Sequence, residues 1–360
     1  MGKEAITKEL EKRHIPELLR LSDNTPVDTP QLWETRRKEI RDILQKECYG
    51  YIPESGWETE WEIVSEEENA FGGKARMRTV DVRIRSGRGY VSYPFQLTVP
   101  KNIEKPPVFL YLSFFPLSSA EIVEEITDSG FAVARVCYQD IAPDQNDGFH
   151  NGPGSLFPGN AYDSWGKLGV WAWGLSRIMD YLVQEETLDA GRVAVVGHSR
   201  LGKAALLCGA MDDRFSLVIA CESGAGGAAL FRGKEGENVA DLCRNFPYWF
   251  CGNFKKWQNR EAELPFDQHF TAALAAPRHL YLAGAVDDEW ADPLSEFLTG
   301  QAVTPVYEML EQQGLAADRL PSAGDVFHEG RVGFHLRPGT HYMGRDDWKL
   351  FMEYRKKQGV

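Results

Sequence analysis

Short apolar runs alternate with helical stretches along the chain beyond Pro107, and this alternation constrains the fold more than any other feature. The runs, each long enough for one strand, cover residues 108–112, 131–138, 193–196, 217–221, 280–285 and 332–336. Strands that are apolar on both faces are typical of a parallel sheet that helices cover on both sides. The sequence therefore predicts an α/β protein, a three-layer α/β/α sandwich with a mostly parallel central sheet.

The N-terminal part of the chain has a different pattern. Residues 76–85 and 90–99 have β-rich, alternating character and are separated by Ser-Gly-Arg-Gly, which predicts an antiparallel N-terminal edge to the sheet. Residues 30–47 carry apolar side chains at helical spacing, which predicts an amphipathic surface helix. We expect a helical segment, 1–56, packed on a single domain spanning 1–360, although 360 residues could also form two domains.

Charge and cysteine usage narrow the possible partners. The chain has 53 acidic and 40 basic residues, a formal net charge of −13, so we expect neither nucleic acid nor a membrane as a partner. The six cysteines show no paired metal-ligand spacing, which predicts reduced core thiols and no metal site. A Cys243–Cys251 disulfide is the less favoured alternative.

Residues 1–20 are highly charged and lack the continuous apolar stretch of a secretory signal or a membrane helix. As written, the sequence predicts a cytoplasmic protein. A leader trimmed from this sequence would instead make the protein secreted.

One segment has the pattern of a nucleophile elbow. The apolar run 193–196 leads into Gly197-His198-Ser199, and residues 203–207 are good helix formers. In such a strand–turn–helix unit the serine hydroxyl is exposed beside backbone N–H groups that can stabilise an oxyanion. Leu201 occupies the place of the second glycine of the general pattern, and a glycine follows one position later. The alternative is a serine that only caps an ordinary helix.

A serine nucleophile needs a histidine base, which in this type of fold follows the nucleophile and the acid along the chain. That order excludes His14 and His150. His341 lies in the turn-rich loop 337–341 before a final helix, and this position favours it over His328. The remaining candidates border or lie in predicted strands and are interpreted as structural: His269, His279 and His335.

Two carboxylates can orient the histidine. Glu222 closes the strand after the nucleophile's helix, and Asp288 closes the later strand at 280–285. Both are expected at the rim of the sheet where the histidine lies, although a strand-end carboxylate often only caps a helix or faces solvent. The sequence leaves the choice between them open.

The run Gly197-His198-Ser199-Arg200-Leu201-Gly202-Lys203 resembles the G-x-S-R-x-G-K signature of the glucuronoyl esterases, carbohydrate esterase family fifteen. Further segments that look like bacterial members lie at 222–228, 245–250, 264–269, 290–293 and 335–341. The resemblance extends from about residue 108 to the C-terminus and implies an α/β-hydrolase fold.

The resemblance also implies roles for the catalytic candidates. Ser199 is expected to be the nucleophile and His341 the general base. Glu222 is expected to be the acid, with Asp288 at a second acid position. Arg200 is expected to stabilise the oxyanion through its backbone N–H and its guanidinium group.

Sugar contacts are implied for Lys203, Glu237 and Trp290. A solvated helix lysine is the alternative for Lys203, and core packing is the alternative for Trp290. The loop 112–116 lacks the Asn/Gly-rich chemistry expected beside an oxyanion site, so the second oxyanion donor stays open.

The implied reaction is hydrolysis of the ester between a 4-O-methyl-glucuronoyl carboxyl group on xylan and an alcohol, without metal or organic cofactor. The expected partner is a small glucuronate ester or a glucuronoxylan oligosaccharide, and the oligomeric state is left open. One alternative is an acetyl xylan esterase or another carbohydrate esterase of the same fold. The alternative of a different class is a catalytically inactive carbohydrate-binding protein.

Overall fold

The computed structural model describes residues 2–119, 122–157 and 159–360, and within these ranges ten strands form one mixed sheet. The strands are β1 Trp57–Asn69, β2 Ala75–Ser86, β3 Gly89–Pro100, β4 Val108–Ser113, β5 Ala132–Cys137, β6 Val193–His198, β7 Leu217–Cys221, β8 His279–Ala285, β9 Asp325–Phe327 and β10 Val332–Arg337. Their order across the sheet is β1-β2-β3-β5-β4-β6-β7-β8-β10-β9.

Six neighbouring strands, β5-β4-β6-β7-β8-β10, pair in parallel, which confirms the predicted parallel centre. Strands β1, β2 and β3 pair antiparallel, and β3 pairs antiparallel with β5, which confirms the predicted N-terminal edge. The opposite edge ends in β9, which pairs antiparallel with β10 and was not predicted. The carboxyl ends of parallel strands lie at the same rim of the sheet. The loops that follow β4, β5, β6, β7, β8 and β10 therefore lie at that rim.

The helices are α1 Gly2–Arg13, α2 Pro30–Leu44, α3 Ala70–Gly73, α4 Val123–Asp128, α5 Tyr138–Ile141, α6 Lys167–Leu182, α7 Arg200–Met211, α8 Val239–Asn245, α9 Gln268–Ala273, α10 Pro293–Met309 and α11 Arg345–Gln358. A π-helix, Gln45–Tyr49, continues α2, so helix extends over the predicted 30–47. Short 3-10 helices lie at Pro153–Leu156, Gly252–Trp257 and Glu261–Glu263. Residues 140–160 are rich in Gly, Asp, Asn and Pro, a composition that predicts a long loop, and of these residues Pro158 lies outside the described ranges.

Alternate residues of the central strands pack in two apolar layers, one on each side of the sheet, because successive side chains of a strand point to opposite faces. In β4, Leu110 joins the layer that contains α6, α7 and α10. Phe109 joins the second layer, with Trp348 and Phe351 of α11. Helices therefore cover both faces of the sheet, which confirms the three-layer fold.

The N-terminal helices lie on the outside of the first layer. Arg13 of α1 donates to the Ser295 hydroxyl of α10 at 2.6 Å, and the Arg36 guanidinium of α2 lies 5.1 Å from the centroid of the Phe270 ring in α9. The six cysteines are free and buried. Within the described ranges, no helix combines the length and the apolar character that crossing a membrane requires. The assignment of 1–360 to a single domain stays a prediction.

Candidate active site

The turn between β6 and α7 holds Ser199 in a strained conformation. Its φ of 57° and ψ of −129° are unusual for a residue with a side chain, and strain of this kind is often found at functional sites. Within the described part of the chain, the Ser199 hydroxyl caps no backbone N–H of α7. The hydroxyl is instead free to face the histidine described below, so the structure does not support the simple helix cap.

The displaced glycine has a packing explanation. A Cβ at Gly202 would lie 3.0 Å from the carbonyl oxygen of Cys221, where α7 approaches the end of β7. Leu201 instead points into the core and is fully buried. The close approach of helix and strand therefore favours glycine at 202, while the side chain at 201 packs in the core.

Three side chains from separate loops form a hydrogen-bonded chain at the carboxyl rim of the sheet. Ser199 Oγ lies 2.8 Å from His341 Nε2, and His341 Nδ1 lies 2.6 Å from Asp288 Oδ2. Asp288 follows β8, and His341 lies between β10 and α11. Burial alone would raise the pKa of Asp288, but the hydrogen bond and charge of His341 outweigh it and hold that pKa below its usual range. The aspartate is therefore available in its charged form to orient the imidazole.

Glu222 approaches the same histidine nitrogen less closely, with Oε2 3.4 Å from His341 Nδ1. Its oxygens already accept from three donors: Arg337 Nη2 at 2.5 Å, Tyr342 N at 2.7 Å and His198 Nε2 at 3.0 Å. Burial raises the pKa of Glu222, and the Arg337 guanidinium opposes that rise. The geometry thus makes Asp288 the direct partner of His341 and Glu222 a supporting group.

His198 stays neutral beside these groups. Burial and then the neighbouring His341 lower the pKa of His198 to about 3. A neutral imidazole can donate through Nε2–H to Glu222, so His198 fixes the carboxylate without adding charge to the site.

The Arg200 guanidinium is fixed on the wall of the site. Its Nη1 donates to Asp144 Oδ2 at 2.6 Å, and its carbon lies 4.9 Å from the centroid of the Trp249 ring. The same carboxylate accepts from Trp249 Nε1 at 2.8 Å and from Tyr248 OH at 3.1 Å. A cation held by an aspartate and an aromatic face is positioned before substrate arrives.

The sugar-contact candidates lie beside the serine. Lys203 is only 4% exposed and its Nζ donates to the carbonyl of Ser223 at 2.7 Å, so it is not a solvated helix lysine. Its Nζ is also 3.2 Å from Glu237 Oε2. The Trp290 side chain is 53% exposed, so it is not a packed core residue.

These side chains share one hollow of about 190 Å³. Its lining includes Ser199, Arg200, Lys203, Glu222, Glu237, Trp290 and His341. The structure therefore brings together all the predicted site residues, with Asp288 directly behind His341. Charged groups and aromatic rings together form a surface that can bind a polar, ring-shaped acyl group.

The other histidines predicted to be structural are buried in the interior: His269, His279 and His335. His328, the less favoured base, bonds through Nε2 to Tyr281 OH at 2.6 Å. The loop 112–116 turns back on itself, with Phe115 N donating to Ser113 Oγ at 2.9 Å.

In the part of the chain that the structure describes, two groups of side chains are close enough to share a metal ion: His198, Glu222 and His341, and Cys221, Glu222 and Asp347. Both include Glu222, whose oxygens accept from N–H donors, and the positive charge of Arg337 opposes a cation there. The hydrogen bonds described above are the simpler explanation of both groups.

Sequence reasoning missed three contributors, namely Asp144, His198 and Arg337. His198 lies inside the recognised motif, so its proximity to the serine was a usable signal. Asp144 and Arg337 act on residues distant in sequence, and neither position had a local pattern that indicated its contacts.

A family model described as glucuronyl esterase, fungi, matches residues 82–311. A carbohydrate esterase from an unknown prokaryotic organism is 32% identical, over 95% of this chain and 89% of the relative. A 4-O-methyl-glucuronoyl methylesterase from Podospora anserina is 31% identical, over 74% of this chain and 54% of the relative.

Solved structures agree with these relatives. A glucuronoyl esterase from Solibacter usitatus matches with a TM-score of 0.89 and 36% identity, over 96% of this chain and 98% of that one. A promiscuous CE15 esterase from a marine bacterial metagenome matches with a TM-score of 0.86 and 31% identity, over 95% of this chain and 96% of that one. The chain belongs to the glucuronyl esterase family.

Proposed function

We propose that this protein hydrolyses 4-O-methyl-glucuronoyl esters of xylan-derived saccharides through a covalent acyl-enzyme. The observation that carries the proposal is the hydrogen-bonded chain from Ser199 through His341 to Asp288, which opens into the hollow beside Lys203 and Trp290. The names of the relatives, which include a 4-O-methyl-glucuronoyl methylesterase, support the substrate class.

The catalytic steps follow from the geometry. Ser199 Oγ attacks the C6 carbonyl of the uronate while His341 Nε2 takes the hydroxyl proton, and Asp288 stabilises the imidazolium that forms. When the tetrahedral intermediate collapses, the bond to the alcohol oxygen breaks and His341 gives that oxygen the proton. Water then attacks the acyl-enzyme with the same histidine as base, which releases glucuronate and the serine.

The surrounding groups have complementary roles in this proposal. Arg200 directs positive charge and its backbone N–H towards the oxyanion, which carries full negative charge only in the intermediate. Lys203 and Glu237 bind sugar hydroxyls, and the exposed Trp290 ring covers one side of the sugar. Glu222 supports the loop that carries His341.

An ester of another acyl group, such as acetyl, is the second candidate substrate; one relative at 31% identity is described as promiscuous. A catalytically inactive binding protein is disfavoured, since the Ser199–His341 bond of 2.8 Å has the geometry of a working serine–histidine pair.

The experiment compares turnover of benzyl glucuronate and methyl 4-O-methyl-glucuronate with turnover of p-nitrophenyl acetate. We expect a higher kcat/KM on the uronate esters, and a loss of about 10⁴-fold or more in Ser199→Ala with saccharide binding retained. Turnover of acetate alone would replace the proposal by the acetyl esterase. Equal, low turnover by wild type and Ser199→Ala would leave only the binding protein.

A further inference from the structure

The loop that carries His341 is held by bonds from neighbouring segments to its backbone, among them Asp287 N to Gly339 O at 3.0 Å and Tyr342 N to Glu222 Oε2 at 2.7 Å. It runs over residues 338–342 between β10 and α11, and the His341 side chain is 40% exposed. Gly339 within it has a φ of 102°, a conformation that other residues rarely adopt. A base on a short, exposed loop requires an external support to keep its nitrogen in line with the serine.

Arg337, the last residue of β10, supplies contacts to this loop. Its Nη1 donates to the carbonyl of Pro338 at 3.0 Å, and its Nη2 donates to the carbonyl of Thr340 at 2.8 Å. The same Nη2 also donates to the carbonyl of Tyr342. Carbonyls on both sides of His341 therefore converge on one guanidinium group.

The same guanidinium group also donates to two buried carboxylates. Nη2 lies 2.5 Å from Glu222 Oε1, and Nε lies 3.1 Å from Asp347 Oδ1. Asp347 in the first turn of α11 also accepts from His335 Nε2 at 3.0 Å. The Arg337 side chain is only 12% exposed, so these bonds are largely protected from water.

We propose that Arg337 is a positioning residue for His341, holding the 338–342 loop by cross-linking its carbonyls to Glu222 and Asp347. The inference rests on the proposed function, because the position of this loop affects turnover only if His341 is the catalytic base. The planar guanidinium reaches these acceptors from three separate nitrogens, and the two N–H groups of Nη2 are shared among three of them, whereas a lysine ammonium group has one nitrogen and cannot bridge the same set.

The consequence concerns the chemical step rather than substrate binding. Lys203, Glu237 and Trp290 make none of these bonds, so the proposed sugar contacts stay in place when Arg337 is removed. A displacement of about 1 Å in a catalytic group costs roughly 100-fold in rate. We therefore expect Arg337→Ala to lower kcat on benzyl glucuronate by about 100-fold, with KM changed by less than about twofold.

Two further measurements separate positioning from general stability. Guanidinium at millimolar concentration should restore part of the kcat of Arg337→Ala by occupying the vacated site, but should restore none in the double variant Arg337→Ala/His341→Ala. Adding Arg337→Ala to His341→Ala should cause no further loss of residual turnover, because residues that act as a unit are not additive.

Arg345→Ala is the matched control, since Arg345 also binds a carboxylate, Glu125, but is 80% exposed. We expect wild-type kcat from this control and a low kcat from Arg337→Lys. Wild-type kcat in Arg337→Ala or Arg337→Lys would overturn the inference, as would a further loss in the His341→Ala background. Failure of the wild-type protein to turn over any uronate ester would instead overturn the proposed function.

Discussion

Two buried carboxylates approach one imidazole nitrogen from different strands, and at the scale of single residues their other contacts distinguish them. Asp288 Oδ2 lies 2.6 Å from His341 Nδ1, whereas Glu222 Oε2 lies 3.4 Å away and accepts from other donors. A carboxylate whose oxygens already accept hydrogen bonds from other donors has little capacity left to accept one from the imidazole during the reaction.

We expect Asp288→Ala to lower kcat on benzyl glucuronate by about 10³-fold and Glu222→Gln by about tenfold, because the direct acid stabilises the imidazolium. Steady-state kinetics with the two purified variants measures the difference. A larger loss in Glu222→Gln than in Asp288→Ala would reverse the assignment of the acid.

A substitution at Asp144 tests whether the position of the Arg200 guanidinium affects turnover. Asp144→Asn keeps the shape of the residue but removes the charge that holds the guanidinium at 2.6 Å. We expect kcat to fall about tenfold, less than the 10²-fold or greater loss typical of deleting an oxyanion donor.

The control for Asp144→Asn is Asp325→Asn, which changes a carboxylate bound to the half-exposed Arg319. It should leave kcat unchanged. Equal kcat in Asp144→Asn and wild type would show that the Asp144–Arg200 ion pair does not contribute to stabilising the oxyanion.

At the scale of secondary-structure elements, the β6–α7 turn depends on one glycine. A Cβ at Gly197 would lie 2.2 Å from the carbonyl oxygen of Leu201, a backbone atom that cannot move without opening the first turn of α7. The strained Ser199 backbone and the helix start are therefore built around the same small residue.

Gly197→Ala should lower the free energy of unfolding by about 1–3 kcal/mol, the usual range for overpacking, and should lower kcat by displacing the serine. Denaturant unfolding and kinetics on the same samples measure both effects. Gly87→Ala is the control, since no atom of the described residues, its two chain neighbours aside, lies within 4 Å of a Cβ there. Wild-type stability and activity in Gly197→Ala would show that the turn can relax.

The central strands were predictable because they are apolar on both faces, a local property of the sequence. Strand β9 was not, because its three residues carry no such signal and exist as a strand only by pairing with β10. The candidate site was predictable where a motif surrounds it, as at Ser199. The contacts of Arg337 and Asp144 were not, since they join segments that only folding brings together.

At the scale of the whole molecule, one buried acid should make stability depend on pH. Glu296 of α10 is fully buried, and its Oε1 accepts from Gly224 N at 2.9 Å and Ser223 Oγ at 3.1 Å. Burial raises the pKa of Glu296 to about 8, so the folded protein holds a proton that the unfolded chain releases near 4.5.

The native state then binds more protons than the unfolded state between these values, and the free energy of unfolding falls as pH rises through this window. Urea unfolding from pH 5 to 9 should show wild type losing on the order of 3 kcal/mol more than Glu296→Gln, which cannot ionise. Glu308→Gln, an exposed change on the same helix, should keep the wild-type slope. Parallel curves for wild type and Glu296→Gln would contradict the assignment.

The charge on the outer strand β1 affects whether copies of the protein associate edge to edge in solution. Among the described residues no strand pairs with its far side, and an open edge of this kind can template pairing with another chain. The strand exposes a row of acidic side chains, Glu58, Glu60, Glu62, Glu66, Glu67 and Glu68, of which Glu62, Glu66 and Glu68 are paired with arginines of β2. Like charges on two approaching edges repel, so the same strand that extends the sheet also discourages intermolecular growth. Protonating those glutamates removes that protection.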